Sequence, residues 1–343
     1  MHRRHVLSGL LCLSTAGAIG CLPNIGHAAS AVSVDSLPKL KGSLTLYLGR
    51  GEGGLYEDIL KAIEKRNPDL ELKIRRGPST ALANTLVAES RFGNPRADVF
   101  WSIDAASLGL VVRASDPDPV DAELANLLRP EYRYEQWLPI SGRFRTLAFN
   151  SATLGSDALP RDVMRLPETD FSFGWAPAYG AFQSFVTAMR ILEGEDQTGA
   201  WLEAMAPKSK SYAGELGVVM ATSRSERDVG FANHYYTLRL KQGRPDAPVD
   251  LAFTRNDAGC LLNASGVAIL RRSQLANDFV RHLLTTEVQG YLAREAFEVP
   301  LLQGVESPKG LPPVAELQPP KVDLEQLADL RPTLSLLRST GVL

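Results

Sequence analysis

The sequence predicts an α/β protein built from two lobes. Segments in which apolar and other residues alternate are followed by segments whose apolar residues recur every fourth position. This order predicts parallel strands covered by helices, with short connections between them. The chain has 343 residues, and the part that follows an N-terminal leader is too long for one compact core of the usual size. Two lobes are therefore the arrangement we expect.

The first part of the chain alternates between strand and helix patterns. Residues 44–48 alternate leucine with other residues, which predicts a strand, and a glycine-rich turn follows at 49–54. A helix pattern then starts at Leu55 and ends before Pro68. The same patterns predict strands at 70–74 and 97–101 and a short helix at 105–111. They also predict a helix with Ser79 as its cap and Gly93 just past its end.

A second block of elements begins near Arg143. It contains predicted strands at 143–150, 171–175, 228–232 and 267–270, and predicted helices at 160–167, 182–192, 234–241, 276–284 and 287–297. A proline-rich tail ends in a helix at 330–337. We assign 44–130 with 255–304 to lobe 1, 131–254 to lobe 2, and 305–343 to a C-terminal segment that packs on the lobes. The two passages between lobes form the expected hinge.

The N-terminal residues predict an exported protein. Two arginines at 3–4 precede an apolar stretch at 6–19 that is too short to span a bilayer, as in a secretory leader. We favour a signal peptide of residues 1–28, cleaved after Ala28. Lipid attachment to Cys21, within a lipobox-like segment, is the alternative. The paired arginines also fit a twin-arginine export signal.

Composition excludes few classes of protein but does restrict the partners. Hydrophobic residues make up 44% of the chain, charged residues 22%, and the formal net charge is −2, so no nucleic-acid surface is indicated. After the leader no apolar run is long enough for a membrane helix. Cys260 is the one cysteine beyond position 21, and we interpret it as a small buried residue rather than a nucleophile.

The sharpest local feature is the segment 228–236, which ends in Asn-His-Tyr-Tyr. An apolar strand leads to Asn233, a good helix cap, and then to two adjacent tyrosines. A phenol has a pKa near 10 and becomes a strong ligand only when a highly charged ion replaces its proton. The alternative is an ordinary structural role, in which one tyrosine side chain packs in the core and the other faces solvent. His234 beside them is expected to make a structural hydrogen bond.

From about Leu44 to Leu343 the chain resembles the ferric-iron-binding periplasmic proteins of bacterial ABC importers. The Asn-His-Tyr-Tyr element is the match that is specific to this family, and the other matching segments indicate mainly the fold. Those are Leu46–Arg50 with Glu52, Ala97–Phe100 with Asp104 and Ala105, Gly174–Pro177 with Phe182 and Gln183, Asp228–Gly230, Ser265–Val267 and Gly310–Pro313.

The resemblance implies a two-lobed periplasmic-binding-protein fold of the type II kind, with hinge strands and a cleft between the lobes. It implies that Tyr235 and Tyr236 bind Fe³⁺ as phenolates from the second lobe. It also implies a periplasmic protein that delivers the ion to an ABC permease in the inner membrane. We expect a monomer without enzymatic activity.

Further ligands are expected near the glycine-rich turn and after a later strand. Members of the family often bind iron with a small anion such as carbonate, and Arg50 is the candidate to hold it, since a helix N-terminus and a guanidinium fork both favour an anion. Glu52 either supplies a carboxylate to the metal or stabilises the helix start. Tyr179 is either a third phenolate or a residue that lines the cleft. Gly51 and Ile103 stand where other members have a histidine and a glutamate ligand.

Two other classes of function stay open at this stage. A binding protein of the same fold for a small anion or organic solute, without iron, would use the same turn and would be colourless. An exported enzyme on this scaffold has less support, because the sequence contains no Gly-x-Ser-x-Gly element, no phosphate loop with its lysine and no His-Glu-x-x-His motif.

Overall fold

The structure is a computed structural model that describes residues 32–49, 55–93 and 95–343. The predicted leader and the predictions for Arg50, Gly51 and Glu52 lie outside these residues. Within the described part no helix is both long enough and apolar enough to cross a membrane.

Ten strands lie in the described residues. They are β1 (Gly42–Leu48), β2 (Leu70–Arg76), β3 (Val99–Ser102), β4 (Leu138–Phe149), β5 (Phe173–Trp175), β6 (Ser209–Ser211), β7 (Val229–Asn233), β8 (Asp250–Ala252), β9 (Leu262–Ile269) and β10 (Val299–Pro300).

Twelve α-helices lie in the same residues. They are α1 (Leu55–Arg66), α2 (Ser79–Arg91), α3 (Ala105–Ser115), α4 (Ala122–Leu127), α5 (Gly180–Glu193), α6 (Glu195–Met205), α7 (Glu215–Ser223), α8 (His234–Gly243), α9 (Gln274–Leu283), α10 (Thr286–Glu295), α11 (Val314–Leu317) and α12 (Arg331–Ser339).

The strands form a continuous sheet in the order β2-β1-β3-β9-β4-β7-β5-β6, with β8 and β10 also paired to β4. Parallel pairs join β1 to β2 and β3, and β5 to β6 and β7, whereas β4 and β9 run antiparallel to their neighbours. The long strand β4 belongs to both parts of the sheet. Its residues 138–144 pair with β9, and its residues 145–149 pair with β7.

Each part of the sheet packs against its own helices and aromatic side chains. In the first part Tyr56 stacks on Trp101 with ring centroids 4.2 Å apart. In the second part the fully buried Phe231 contacts several aromatic rings, among them Phe185 at 5.6 Å and Trp201 at 5.7 Å. The two-lobed α/β fold predicted from the sequence is confirmed, while the lobe boundaries at 130, 254 and 304 stay predictions.

The C-terminal segment contacts both parts of the molecule. A 3₁₀ helix at Leu324–Ala328 packs against α3, and the Glu325 carboxylate accepts a hydrogen bond of 2.9 Å from the Trp137 indole. Helix α12 then packs against α5 and α6, where the hydroxyl groups of Thr333 and Thr187 lie 2.7 Å apart. The last segment therefore runs from one half of the protein to the other.

Two local predictions are corrected. Ser79 does not cap α2, because it is the first helical residue and Pro78 precedes it as the N-cap. Its hydroxyl instead donates to the Gly49 carbonyl at 3.0 Å and accepts from the Ile103 amide at 3.1 Å, which joins the ends of β1 and β3. The segment 160–167 holds only a 3₁₀ helix at Val163–Glu168, since Pro167 cannot donate to an α-helical ladder.

Candidate metal centre

Three tyrosines meet at one edge of the second part of the sheet. Strands β5 and β7 are parallel neighbours, so α5 and α8, which follow them, begin at the same edge. Tyr179 occupies the N-cap of α5, and Tyr235 and Tyr236 are the second and third residues of α8. The phenol oxygens of Tyr179 and Tyr236 lie 3.0 Å apart, and the ring centroids of Tyr235 and Tyr236 lie 4.5 Å apart.

The three predicted tyrosines are thus brought together, and the surroundings of Tyr179 and Tyr236 raise the pKa values of these two phenols. Burial raises the pKa of Tyr236 well above its ordinary value, and the charges of Tyr235 and Tyr179 raise it further. Burial also raises the pKa of Tyr179, with a further contribution from Tyr235. The cluster needs an ion of high charge to replace these protons, because neighbouring phenolates repel each other unless a cation lies between them.

Conventional metal ligands do not gather elsewhere in the described residues. In these ranges no group of three histidine, cysteine, aspartate or glutamate side chains is arranged to hold a metal. Asp104, which follows β3, is the N-cap of α3 and accepts hydrogen bonds from the amide of Ser107 at 2.6 Å and from its hydroxyl at 3.1 Å. Its carboxylate oxygens are therefore both engaged in capping the N-terminus of α3. Arg50 and Glu52 stay predictions.

Two arginines beside the tyrosines were missed by the sequence reasoning. Arg239 places its guanidinium carbon 4.7 Å from the centroid of the Tyr235 ring and donates to the Ala296 carbonyl at 3.0 Å. Its position four residues after Tyr235 on a predicted helix is a signal that could have found it. Arg143 on β4 is 7% exposed, and its positive charge opposes the burial that raises the pKa of Tyr179. Arg143 comes near the tyrosines only because β4 runs through both parts of the sheet.

The strand that leads to the tyrosines is held by a buried ion pair. Arg145 on β4 lies 2.6 Å from the carboxylate of Glu215, and both side chains are almost fully buried. The other carboxylate oxygen of Glu215 accepts from the Asn233 amide at 2.8 Å. Asn233 is the N-cap of α8 by position, but its side chain makes no capping bond and lies 3.5 Å from the Tyr235 phenol oxygen. The ion pair thus fixes the junction from which both tyrosines project.

His234 has the structural role that the sequence predicted. Its Nδ1 accepts a hydrogen bond from the Phe144 amide at 3.0 Å, so its Nε2 carries the proton and donates to the Phe297 carbonyl at 2.6 Å. The ring is fully buried, and this burial lowers the pKa of His234 to about 4. Both ring nitrogens are occupied, so His234 is not a ligand in this arrangement.

Comparisons with known proteins indicate the family to which the chain belongs. No protein-family model matches the chain. The Fe(3+)-binding periplasmic protein of Serratia marcescens is 30% identical over 302 residues, which cover 84% of this chain and 88% of that protein. The major ferric iron-binding protein of Neisseria meningitidis serogroup A is 27% identical over 334 residues, which cover 93% of this chain and 99% of that protein.

A solved structure shows the same relationship. The crystal structure of iron-bound HitA from Pseudomonas aeruginosa matches with a TM-score of 0.77 at 29% identity, and the match covers 89% of this chain and 100% of that one. The chain therefore belongs to the family of ferric iron-binding periplasmic proteins.

Proposed function

We propose that this protein is the periplasmic substrate-binding component of an iron(III) ABC importer. It binds Fe³⁺ in the cleft between its lobes through the phenolates of Tyr235 and Tyr236 and delivers the ion to a permease in the inner membrane. The observation that carries this proposal is the cluster of three phenols, with 3.0 Å between the oxygens of Tyr179 and Tyr236. Membership of the family supports the choice of ion.

The donor chemistry favours a trivalent ion. Hard cations prefer oxygen donors, and phenolate oxygen is a strongly charged one. Because the pKa values of Tyr179 and Tyr236 lie above the ordinary value, a bound ion has to displace their protons. A divalent ion compensates less of the repulsion among phenolates than Fe³⁺ does. The third phenol, Tyr179, then completes a set of three oxygen donors from two helix starts.

An anion bound beside the iron has a candidate partner in the described residues. The Nε and Nη2 atoms of Arg143 are buried and have no hydrogen-bond partner in the described part of the chain. These two nitrogens form one edge of the guanidinium fork, which suits two oxygens of a carbonate or carboxylate. Arg50, expected from the sequence to hold the anion, stays a second candidate. Iron titrations of Arg143→Gln with and without bicarbonate test the assignment, and an unchanged dependence on bicarbonate would remove Arg143 from it.

The central experiment is a titration with ferric citrate followed by visible absorbance. The wild-type protein is expected to turn red-orange through phenolate-to-iron charge transfer, and the variant with Tyr235→Phe and Tyr236→Phe is expected to stay colourless with an unchanged far-UV spectrum. Tyr291→Phe is a matched control, because that phenol lies on α10 and bonds to Asp58 instead.

The outcomes separate the candidate functions. An undiminished absorption band in the double variant would remove the two tyrosines from the site. A colourless wild-type protein that binds no iron but retains a small anion would favour the alternative of a same-fold anion or organic-solute carrier. Tyr179→Phe distinguishes a third ligand, which weakens binding and shifts the band, from a residue that only lines the cleft.

A further inference from the structure

We propose that His234 is a positioning residue for the iron site. Through its hydrogen bond to Phe297 it fixes the first turn of α8, and with it both tyrosines, to the segment 296–300. This role rests on the proposed function, because it concerns how the phenols of Tyr235 and Tyr236 are held for the ion.

The imidazole of His234 joins three segments that are far apart in the chain. His234 is the first residue of α8. Its ring accepts a hydrogen bond from the amide of Phe144 on β4 at 3.0 Å and donates one to the carbonyl of Phe297 at 2.6 Å. Phe144 is the residue of β4 at which pairing with β9 ends and pairing with β7 follows. The ring therefore binds the helix start to the point where β4 leaves one sheet part for the other.

The partner at Phe297 is held in an unusual backbone conformation. Phe297 has φ of 55°, a left-handed value that a bulky residue adopts only when its surroundings fix it. Its side chain packs in a small cluster with Tyr235 and Leu238. Three links thus connect this segment to α8: the apolar contact of the Phe297 ring, the hydrogen bond from His234 to the Phe297 carbonyl, and the hydrogen bond from Arg239 to the Ala296 carbonyl. The His234 bond is the one made by the first residue of the helix.

Beyond Phe297 the segment continues into the strand pairing of the other sheet part. Strand β10 pairs with β4, with Val299 opposite Gly142 and Pro300 opposite Ser141. A displacement of β10 relative to α8 would therefore act on the His234–Phe297 bond together with the other two links. Loss of the His234–Phe297 bond removes the constraint at the first residue of α8 and leaves Tyr235 itself unchanged.

Two substitutions separate the two hydrogen bonds of the imidazole. In His234→Asn the amide oxygen stands near the position of Nδ1 and can still accept from the Phe144 amide, but the shorter side chain no longer reaches the Phe297 carbonyl. In His234→Gln the amide nitrogen stands near the position of Nε2 and can still donate to Phe297. His282→Asn is the matched control, because His282 is also fully buried and bonds to the Asp278 carbonyl on α9 at 2.7 Å.

The experiment measures iron release into a chelator from ferric-loaded protein, together with the charge-transfer band and the urea midpoint of the iron-free protein. Groups that orient ligands typically change metal affinity by about 10- to 100-fold, and His234→Asn is expected to accelerate release by about that factor and to shift the band. His234→Gln is expected to release iron at nearly the wild-type rate, although its urea midpoint falls because the Phe144 amide loses its acceptor. His282→Asn is expected to lower the midpoint only.

Each result decides the role. Wild-type release from His234→Asn at a lowered midpoint would show a purely structural residue and overturn the proposal. Fast release from His234→Gln would do the same, since the Phe297 bond is retained there, and this variant serves on its own if His234→Asn does not fold. A wild-type protein without the charge-transfer band would instead overturn the proposed function.

Discussion

Replacing Glu215 with glutamine removes the negative charge from the buried ion pair that holds the start of α8, and it leaves the positive charge of Arg145 in place. The Arg145 guanidinium lies 2.6 Å from the Glu215 carboxylate, and their side chains are 2% and 0% exposed. Glutamine has nearly the same shape and keeps an oxygen that accepts from the Asn233 amide. The change therefore isolates the loss of charge from a loss of volume or of the backbone bond.

The expected cost follows from the burial of Arg145. Two unit charges about 4 Å apart attract by about 4 kcal/mol at the effective dielectric constant of about 20 that suits protein sites. Removal of one partner from a buried pair costs about 3–5 kcal/mol, because the remaining charge has no compensation. We expect the free energy of unfolding of Glu215→Gln to fall by about 4 kcal/mol at neutral pH.

Urea unfolding of the iron-free protein, followed by far-UV circular dichroism, measures this loss. Glu226→Gln is the control, since Glu226 pairs with Arg224 at 2.7 Å on the exposed surface and its loss should leave the midpoint unchanged. Combining Glu215→Gln with Arg145→Met should recover most of the stability, because no buried charge then remains. A loss in Glu215→Gln as small as that in Glu226→Gln would refute the reasoning.

Three further outcomes are expected. Gly230→Ala should lower the free energy of unfolding by about 1–3 kcal/mol in urea, since an added Cβ would lie 2.5 Å from the Val218 side chain. Cys260 should react with a disulfide reagent only after unfolding, because burial raises its pKa to about 12 and hides the thiol. Iron affinity in chelator competition should fall by about 10-fold per pH unit, as pH falls, for each phenol proton that the ion displaces. The loss is about 100-fold per pH unit if Tyr235 and Tyr236 are the ligands and about 1,000-fold if Tyr179 is a third, since a phenol holds its proton at neutral pH and the pKa values of Tyr179 and Tyr236 are raised further.

Each of these measurements has a contrary result. Gly243→Ala is the control for the added methyl group, because nothing lies within 4 Å of a Cβ there, and equal losses in both glycine variants would contradict the packing argument. Rapid labelling of the native thiol would show that Cys260 is accessible. An affinity that does not change between pH 7 and pH 6 would mean that no phenol proton is displaced.

Sequence pattern was sufficient where an element is encoded locally. The apolar run at 229–232 followed by Asn233 predicted β7 and the start of α8 within a residue, because a buried strand and a helix cap both leave local signals. No element was predicted at α7, because its apolar residues show no clear helical period. The prediction for Ser79 as a helix cap was wrong, because its hydroxyl bonds to groups that are distant in sequence.

The candidate site was predicted in part for the same reason. Tyr235 and Tyr236 are adjacent in the chain, and the family resemblance marked them and directed attention to Tyr179. The contributions of Arg143 and Arg145 depend on one strand entering two sheet parts, which no local pattern encodes. Distances between segments such as β4 and α8 are set by pairing across the whole sheet, and only the three-dimensional structure supplies them.

The C-terminal segment sets a mechanical condition on how far the two halves can separate. Its 3₁₀ helix ends at Ala328 and packs mainly against α3, with a smaller contact to α5, and α12 begins at Arg331 and packs against α5 and α6. The three peptide steps between those residues reach at most about 11 Å when fully extended. A larger separation at that point would break the packing of either the 3₁₀ helix or α12 against its neighbouring helices. If the two halves move apart, this short covalent connection would limit their separation at that point.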